Sequence, residues 1–467
     1  MRLVAIGGSD AGIQAALRAR ELDPSAEVTV VLADAYPNYS ICGIPYYVSG
    51  DVPDWHNLAH RTIAELEATG MTLRLDTMAR QIDPDSHRVS LGAGGYGQAS
   101  LEYDALVLAT GALPVTPPIA GLDQLGPPEG VHLLYSMGDT FALTRTLERR
   151  DIRRAVIVGA GYVGLEMAEA LAARGVTVTQ VEQPPEVLPT IDPELGALVH
   201  AELQRHGVEV SCGTRVDAIQ RPEPKSAHRL EVSATGPDGD PVRFPADLVL
   251  VSDGVHPDSR IAADAGAELG TRVAIVVDRQ MHTNLPDVLA PGDCVITHHR
   301  LSGISYLPLG ATAHKQGRIA GENALGGSRE FAGSLGTQVV KVFDLVAART
   351  GLRDSEAVAA GSDPITVSSE ADDHKAYYPD SHTIAMRYTG DRRTGQLLGV
   401  QLVGHLRSEI AKRIDIPATA IFNRMTVDAL SDLDLSYTPP LGSPWDVVQT
   451  GAQTWQRQVD AMPFTAA

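Results

Sequence analysis

The chain has 467 residues, of which 43% are hydrophobic and 21% charged, and its formal net charge is −20. This length exceeds what one hydrophobic core usually serves, so we expect two or three domains of a globular protein. The acidic charge argues against nucleic acid and anionic membranes as partners, because both would be repelled.

The N-terminal apolar stretch is too short for a signal peptide, and no apolar run is long enough to span a bilayer. The three cysteines, Cys42, Cys212 and Cys294, are far apart in the chain and do not form a disulfide framework. We therefore expect a reducing, cytoplasmic location in which a single exposed thiol can carry chemistry.

A strand, a glycine turn, a helix and a second strand follow one another twice along the chain. The first copy has a strand at 2–6, a turn at 7–12, a helix ending near residue 22 and a strand at 27–32. The second copy has a strand at 154–158, a turn at 159–164, a helix to 173 and a strand at 176–182. Two such βαβ units predict two dinucleotide-binding domains.

The segments between and after these units complete the predicted architecture. Buried strands ending in small-residue turns are expected at 102–111 and 246–254, and a helix at 309–324. From about residue 338 alternating strands, such as 397–403, are combined with one amphipathic helix at 408–422. We predict an α/β protein with two Rossmann-like domains and a C-terminal α+β domain. Its domains are 1–115 with 247–328, 116–246, and 335–460.

The second glycine loop is a complete G-x-G-x-x-G between a strand and a helix. Gly159 makes the turn, Gly161 lets the backbone approach a pyrophosphate, and Gly164 packs helix against strand. Glu182, at the end of the next strand, is placed to accept hydrogen bonds from an adenosine ribose. The loop that follows has no Arg or Lys for a 2′-phosphate, so NADH is favoured over NADPH. A plain structural turn is the alternative, which the combination of strand, helix and acid disfavours.

The first glycine loop has Ser9 where the middle glycine belongs, between Gly7 and Gly12. Leu32 stands where an acid would usually close the strand, and Asp34 follows two residues later. Next to a nicotinamide-binding unit, this loop suggests a flavin dinucleotide, FAD, in the first domain.

A lone cysteine, Cys42, occurs in Ser-Ile-Cys-Gly-Ile-Pro-Tyr-Tyr47 shortly after the first unit. Tyr47 stands where a C-x4-C motif would place a second cysteine, so Cys42 acts without a neighbouring thiol in the sequence. A free cysteine is most often a small buried hydrophobe. We assign that role to Cys212 and Cys294 rather than to Cys42.

In combination, these motifs resemble the pyridine nucleotide-disulfide oxidoreductases. The resemblance rests on the two glycine loops, the Cys42 segment, Ala109-Thr-Gly111 and Ala290-Pro-Gly-Asp293. The segments at 341–351, 376–379 and 434–440 are similar to the single-cysteine branch of coenzyme A disulfide reductases, coenzyme A persulfide reductases and NADH oxidases.

The resemblance implies roles for further residues. Asp293 would bond the ribityl chain of FAD, and Tyr162 and Glu166 would lie near the nicotinamide and flavin rings. The C-terminal domain would form a homodimer in which Tyr378 and Tyr437 reach the partner's Cys42. Interface packing is the alternative for these tyrosines. The residues expected to bind cofactors are Gly7, Ser9, Ala11, Gly12, Asp34, Ala109, Thr110, Gly111, Gly159, Gly161, Tyr162, Gly164, Glu166, Glu182, Gly292, Asp293 and Ala311, and no metal site is expected.

The implied reaction carries electrons from NAD(P)H through FAD to Cys42, whose thiolate forms a mixed disulfide with a low-molecular-weight disulfide or persulfide. The alternatives are an NADH oxidase reducing oxygen at the flavin and an electron-transfer reductase for a partner protein. Asp10 replaces the histidine of peroxide- and oxygen-reducing relatives, which weighs against a peroxidase.

Coenzyme A is the thiol carrier that the resemblance suggests. Arg18, Arg20 and Arg61 are available for its phosphates. Acidic residues are interleaved with these arginines and would weaken an anion pocket.

Overall fold

The computed structural model describes residues 1–92, 99–149, 151–223 and 226–462. Two five-stranded parallel sheets and one five-stranded antiparallel sheet organise these residues, flanked by smaller sheets. The predicted α/β fold with two Rossmann-like regions and a C-terminal dimerisation domain is confirmed. Every helix in the described part of the chain is too short or too polar to cross a bilayer.

The first half of the chain contains both glycine loops. Up to residue 115 its elements are β1 (Arg2–Ile6), α1 (Asp10–Leu22), β2 (Glu27–Val31), α2 (Ile44–Ser49), α3 (Ile63–Ala68), β3 (Thr72–Arg74), β4 (Met78–Asp83), β5 (Arg88–Gly92), β6 (Ala99–Glu102), β7 (Ala105–Leu108) and β8 (Ala112–Pro114). Up to residue 251 they are β9 (Val131–Leu133), α4 (Met137–Leu147), β10 (Arg154–Val158), α5 (Tyr162–Ala173), β11 (Thr177–Val181), α6 (Pro193–Arg205), β12 (Glu209–Ser211), β13 (Arg215–Gln220), β14 (Leu230–Thr235), β15 (Pro241–Ala246) and β16 (Leu248–Val251).

The second half returns to the first sheet and then forms the C-terminal domain. The returning elements are β17 (Val255–Pro257), α7 (Arg260–Asp264), β18 (Val288–Leu289), β19 (Thr297–His299), β20 (Gly303–Ser305) and α8 (Gly310–Asn323). The C-terminal elements are β21 (Gln338–Val342), β22 (Leu345–Gly351), α9 (Asp354–Ala359), β23 (Pro364–Asp372), β24 (Thr383–Asp391), β25 (Leu397–His405), α10 (Ile410–Arg413), α11 (Asp415–Phe422), α12 (Val427–Ser431) and α13 (Val447–Asp460).

The first parallel sheet has the order β18-β7-β1-β2-β3 and sets α1 beside α8. All four residues of β7 are buried, as expected for a parallel strand covered on both faces. An added Cβ at Gly317 would lie 2.3 Å from Ala11 O, and one at Gly321 would lie 2.2 Å from Ala15 O. These glycines let α1 and α8 touch, which places the first turns of both helices together.

The second parallel sheet has the order β12-β11-β10-β16-β9. In it β16 pairs with β10, from Ala155 with Leu248 to Val158 with Val251. The predicted domain boundary at 246/247 falls between β15 and β16, and β16 pairs with β10 of this sheet. Local hydrophobicity indicated a buried strand here but did not determine its pairing partner.

The C-terminal sheet is antiparallel, with the order β21-β22-β25-β24-β23. The single amphipathic helix predicted at 408–422 is wrong in detail. Glu409 has φ +54° and the segment divides into α10 and α11, where Pro417 has no N–H to donate to Arg413 O. Helices α9, α12 and α13 were also not predicted.

One hydrophobic core connects the Cys42 segment to two domains. Ile44 and Val48 of α2 are buried together with Leu165 of α5 and with Val340 and Val403 of the C-terminal sheet. This packing holds the turn before α2 at the junction of the domains.

Candidate active site

The first glycine loop, between β1 and α1, is packed too closely to admit side chains. Gly7 has φ +112°, and an added Cβ there would lie 1.9 Å from Ala109 O. At Gly12 an added Cβ would lie 1.9 Å from Gly7 O. The loop therefore leads into the N-terminus of α1 with its backbone uncovered. The N–H groups at this helix terminus can bind a phosphate.

A cavity of about 480 Å³ opens beside this loop. Asp34, just beyond β2, accepts a hydrogen bond from Tyr36 N–H at 2.9 Å. Burial raises the pKa of Asp34, and its carboxylate is placed as an acceptor for a ribose diol. The predicted residues that line the cavity are Gly7, Ser9, Asp34, Ala109, Thr110 and Gly111.

The other predicted residues of the first domain gather around the first turns of α1 and α8. Ala11 and Gly12 are buried in α1, and Ala311 is exposed in α8. Gly292 N–H donates to Gln316 Oε1 at 2.9 Å, which fixes the segment before Asp293 against α8. Burial raises the pKa of Asp293 to about 6, with a further contribution from Asp10.

The second glycine loop repeats this close packing and leaves its middle glycine open. An added Cβ would lie 2.3 Å from Ser252 O at Gly159, and 2.2 Å from Gly159 O at Gly164. No atom of the described residues lies within 4 Å of a Cβ added at Gly161. The open position is where a pyrophosphate can approach the backbone.

Glu182 lies at the end of β11 and is buried. Its carboxylate accepts hydrogen bonds from the N–H groups of Ala160 and, at 2.9 Å, Gln183. Burial raises its pKa despite these bonds. A carboxylate has further lone pairs, so the same group can still accept from a ribose diol.

Tyr162 and Glu166 project from the first two turns of α5. The Tyr162 hydroxyl donates to Gln338 Oε1 at 2.6 Å and accepts from Thr190 Oγ1 at 3.2 Å, so it joins α5 to β21. Tyr46, in α2, donates its hydroxyl to Glu166 Oε1 at 3.3 Å. Burial raises the pKa of Glu166 to about 7.

Cys42 lies in a short 3-10 turn, Ile41–Gly43, immediately before α2. Its side chain is exposed, and the preceding residue, Ile41, lines the cavity. The structure therefore brings a single exposed thiol to the edge of the cavity that holds the first glycine loop.

The surroundings of Cys42 oppose its ionisation. Although the residue is exposed, the adjacent protein removes enough water to raise the pKa of the thiol. The carboxylates of Glu166, Asp10 and Asp293 raise this pKa further. A thiolate nucleophile at this position needs compensating positive charge or hydrogen-bond donors.

Asp10 has two histidine neighbours that the sequence did not connect with it. His314 Nδ1 lies 3.5 Å from Asp10 Oδ2, and His60 Nε2 lies 4.0 Å from Asp10 Oδ1. Burial raises the pKa of Asp10, while the two imidazoles lower it. A carboxylate beside a phosphate-binding loop would repel the phosphate. The two histidines beside Asp10 reduce this repulsion.

Tyr378 and Tyr437 lie on two exposed loops of the C-terminal domain, at 43% and 44% exposure. Lys375 N–H donates to Pro439 O at 3.3 Å, which joins the two loops. The tyrosines thus belong to one surface, and their role at the partner's Cys42 stays a prediction.

Two family models match the sequence. The model for pyridine nucleotide-disulphide oxidoreductases matches residues 1–317, and the model for their dimerisation domain matches residues 337–447. The chain belongs to the pyridine nucleotide-disulphide oxidoreductase family.

Relatives of this oxidoreductase act on sulfur compounds or on oxygen. It is 34% identical to the NAD(P)H sulfur oxidoreductase (CoA-dependent) of Pyrococcus furiosus, over 95% of this chain and 97% of that protein. The structure of a NAD-dependent persulfide reductase from A. fulgidus has a TM-score of 0.91 and 38% identity, covering 98% of this chain and 84% of that one. A water-forming NADH oxidase from Lactobacillus brevis has a TM-score of 0.91 and 25% identity, covering 98% of this chain and 99% of that one.

The family uses FAD and NAD(P)H, and the residues of this oxidoreductase fit both. Gly7, Gly12 and Asp34 would hold the adenosine diphosphate half of FAD. Gly161 and Glu182 would hold the corresponding half of NAD(P)H. A bound flavin would supply two-electron redox chemistry, taking electrons from NAD(P)H and passing them to an acceptor.

Two of the three arginines considered for coenzyme A already have partners. Arg18 donates to Glu322 Oε2 at 2.6 Å and pairs with Glu21. Arg20 donates to the carbonyl groups of Ala26 and Thr69. Arg61, by contrast, is exposed. An anion pocket built from all three would require breaking these bonds.

The other two cysteines differ in their surroundings: Cys294 is buried, as its sequence context suggested, whereas Cys212 is only partly buried. Cys294 is fully buried and donates to Leu108 O at 3.4 Å. Cys212 is partly buried and donates to Glu186 Oε1 at 3.8 Å. Glu186 Oε1 also lies 2.9 Å from His200 Nδ1, so the Cys212 thiol belongs to a separate polar cluster.

Sequence reasoning missed several residues beside Cys42. Tyr46 could have been found, because it belongs to the same motif. Tyr135 lines the cavity and has its pKa raised by burial and by Asp293, but it lies in a segment without a recognisable motif.

Proposed function

We propose that this chain forms a homodimeric, FAD-dependent NAD(P)H oxidoreductase that reduces a low-molecular-weight disulfide or persulfide at Cys42. One observation carries the proposal: an exposed thiol stands at the edge of the first dinucleotide cavity, while Cys212 and Cys294 are bonded elsewhere. Without a second thiol beside it, Cys42 exchanges with an outside sulfur compound.

In this reaction the Cys42 thiolate attacks one sulfur of the substrate and forms a mixed disulfide. Tyr46 and Glu166 hold the segment of α2 against α5, and the exposed side of the Cys42 turn admits the substrate. The sulfur-reducing relatives are 34% and 38% identical to this chain, whereas the NADH oxidases are 25% to 30% identical, which supports a sulfur acceptor over oxygen.

We infer NADH as the preferred coenzyme, because Glu182 would repel the 2′-phosphate of NADPH. A reducing compartment such as the cytoplasm would keep Cys42 available as a thiol. The match to the dimerisation domain supports a homodimer, in which Tyr378 and Tyr437 would face the partner's Cys42. Coenzyme A disulfide and coenzyme A persulfide are the first substrates to test, together with smaller disulfides that do not need the occupied arginines.

The test measures NADH consumption by the purified holoenzyme with each sulfur substrate and in air alone. We expect a sulfur substrate to raise turnover well above the rate in air. Cys42→Ser should lose this stimulation by at least about 100-fold while NADH still bleaches the flavin. Cys212→Ser is the matched control and should retain turnover.

Other outcomes would refute the proposal. Rapid NADH consumption in air without stimulation by sulfur would indicate an oxidase. Full turnover by Cys42→Ser with a protein acceptor would indicate an electron-transfer reductase.

A further inference from the structure

Asp10 carries a buried oxygen atom without a hydrogen-bond partner. Asp10 Oδ1 is inaccessible to solvent and accepts no hydrogen bond from the described residues. Leaving such an acceptor unpaired destabilises the fold, and it does so more when the group is charged. The carboxylate therefore requires a proton of its own or a cation close by, and the adjacent imidazoles can supply either.

The fold holds these imidazoles through separate elements. His60 N–H donates to Asn38 O at 2.9 Å, and Asn38 N–H donates to Gly8 O at 2.7 Å, which ties His60 to the first glycine loop. His314 lies on α8 with Nδ1 3.0 Å from Gly310 O. The two ring centroids are 6.1 Å apart and the rings are nearly perpendicular.

This cluster borders both solvent and the reactive thiol. The side chains of His60 and His314 are 45% and 39% exposed, so both can exchange protons with water. Tyr39 and Ala59 form a β-bridge, and Ser40 N–H donates to Leu58 O at 2.8 Å, so the backbone before His60 runs beside the backbone before Cys42. A proton held by the cluster is thus near the place where a sulfur leaving group forms.

We propose that Asp10, His60 and His314 form a proton relay for the sulfur chemistry at Cys42, in which an imidazolium protonates the departing thiolate. Asp10 acts as the positioning residue, because its carboxylate attracts an imidazolium that forms 3.5 Å away at His314 or 4.0 Å away at His60. This inference rests on the proposed reduction of a disulfide or persulfide and names the groups that handle its proton.

For a disulfide R–S–S–R′, the exchange conserves atoms and electrons. A bond forms between Cys42 Sγ and the sulfur that carries R, and the S–S bond of the substrate breaks. The leaving thiolate R′–S⁻ takes the proton from the imidazolium. NAD(P)H then provides two electrons that open the mixed disulfide, releasing the second thiol. Over one cycle, NAD(P)H supplies two electrons and one proton, and solvent supplies the other proton through the relay.

The charged groups around the relay come from several elements. Cys42 belongs to the turn before α2, Glu166 to α5 and Asp293 to the segment before α8. Two exposed cations, Arg61 and Lys315, directly follow the two histidines in sequence. The pKa of Glu65, in α3, is lowered first by its hydrogen bonds with Thr62 and then by the charge of Arg61. Acids therefore dominate next to the thiol, which makes an imidazolium the suitable proton donor.

The test uses the dependence of the rate on the leaving group. An alkyl disulfide releases a basic thiolate that needs a proton, whereas 5,5′-dithiobis(2-nitrobenzoate) releases a stabilised thiolate that does not. We expect the holoenzyme carrying His60→Gln and His314→Gln to lose roughly 100-fold in turnover of the alkyl disulfide. Turnover of the aromatic disulfide should change by less than about threefold, because general acid assistance follows the basicity of the leaving group.

Two further variants complete the design. Asp10→Asn should lower the ratio of alkyl to aromatic turnover in the same direction. His56→Gln, an exposed histidine bonded to Asp54, is the matched control and should leave this ratio unchanged. In the double variant, the rate of flavin reduction by NADH should stay unchanged, which separates the loss from a general structural defect.

Equal losses on both disulfides, or no loss on either, would overturn the relay. Failure of the proposed function would give a different result. Turnover by the wild-type enzyme would not depend on a sulfur substrate, or Cys42→Ser would retain full turnover.

Discussion

Glu166 provides a quantitative test of the electrostatics beside Cys42. Burial raises its pKa from 4.5 to about 7. At about 1.4 kcal/mol per unit, this corresponds to roughly 3 kcal/mol. The folded protein keeps a proton that the unfolded chain releases, so this contribution to stability is present below pH 4.5 and lost as the pH rises to about 7.

Glu166→Gln removes this titration and keeps a similar shape. We expect the free energy of unfolding of the wild-type holoenzyme, measured with urea, to fall between pH 4.5 and pH 8 by roughly 3 kcal/mol more than that of the variant. All other groups titrate in both proteins, so the difference between the two profiles isolates Glu166. Glu148→Gln, at an exposed glutamate that follows α4, should reproduce the wild-type profile. Parallel profiles for wild type and Glu166→Gln would refute the assigned burial of the carboxyl group.

Three further substitutions test the nucleotide sites and the C-terminal core. Gly164→Ala places a Cβ 2.2 Å from Gly159 O, and we expect the KM for NADH in flavin reduction to rise at least about tenfold. Tyr388→Phe removes the 2.8 Å hydrogen bond to Val448 O and should lower the free energy of unfolding in urea by about 1–3 kcal/mol. Glu182→Ala should raise the KM for NADH about tenfold and that for NADPH less, as measured by steady-state kinetics.

Each of these substitutions has a control variant or an outcome that would contradict the prediction. Gly442→Ala meets no atom of the described residues within 4 Å and should leave the KM for NADH unchanged. Tyr377→Phe, at an exposed ring, should leave the stability unchanged. Unchanged unfolding of Tyr388→Phe would show that Val448 O does not depend on the hydroxyl. Equal rises in both KM values for Glu182→Ala would argue against ribose recognition.

The parts of the fold that depend on local interactions could be predicted. Helix α1 ends at Leu22 and α5 at Ala173, as their sequence patterns indicated. Pairing could not be predicted in the same way, because β16 has the same apolar composition as any buried parallel strand. Only the register between Ala155 and Leu248 reveals which sheet contains it.

Some residues of the site could also be predicted from local motifs, and others could not. The motif around Cys42 identified the thiol and the absence of a neighbouring cysteine in the sequence. The histidines beside Asp10 could not be predicted, since His60 and His314 are 50 and 304 positions away along the chain. Their sequence contexts contain no metal or triad spacing that would connect them.

The amino-acid sequence by itself determined the two glycine loops, the lone cysteine at position 42 and the family, because each depends on a short run of residues with a specific backbone requirement or composition. Tertiary structure alone decided which charges surround that cysteine. Burial and Coulomb interactions depend on distance in space, and the crossing of α1 with α8 and the packing of α2 on α5 bring the charges of Asp10 and Glu166 to the thiol from remote parts of the chain.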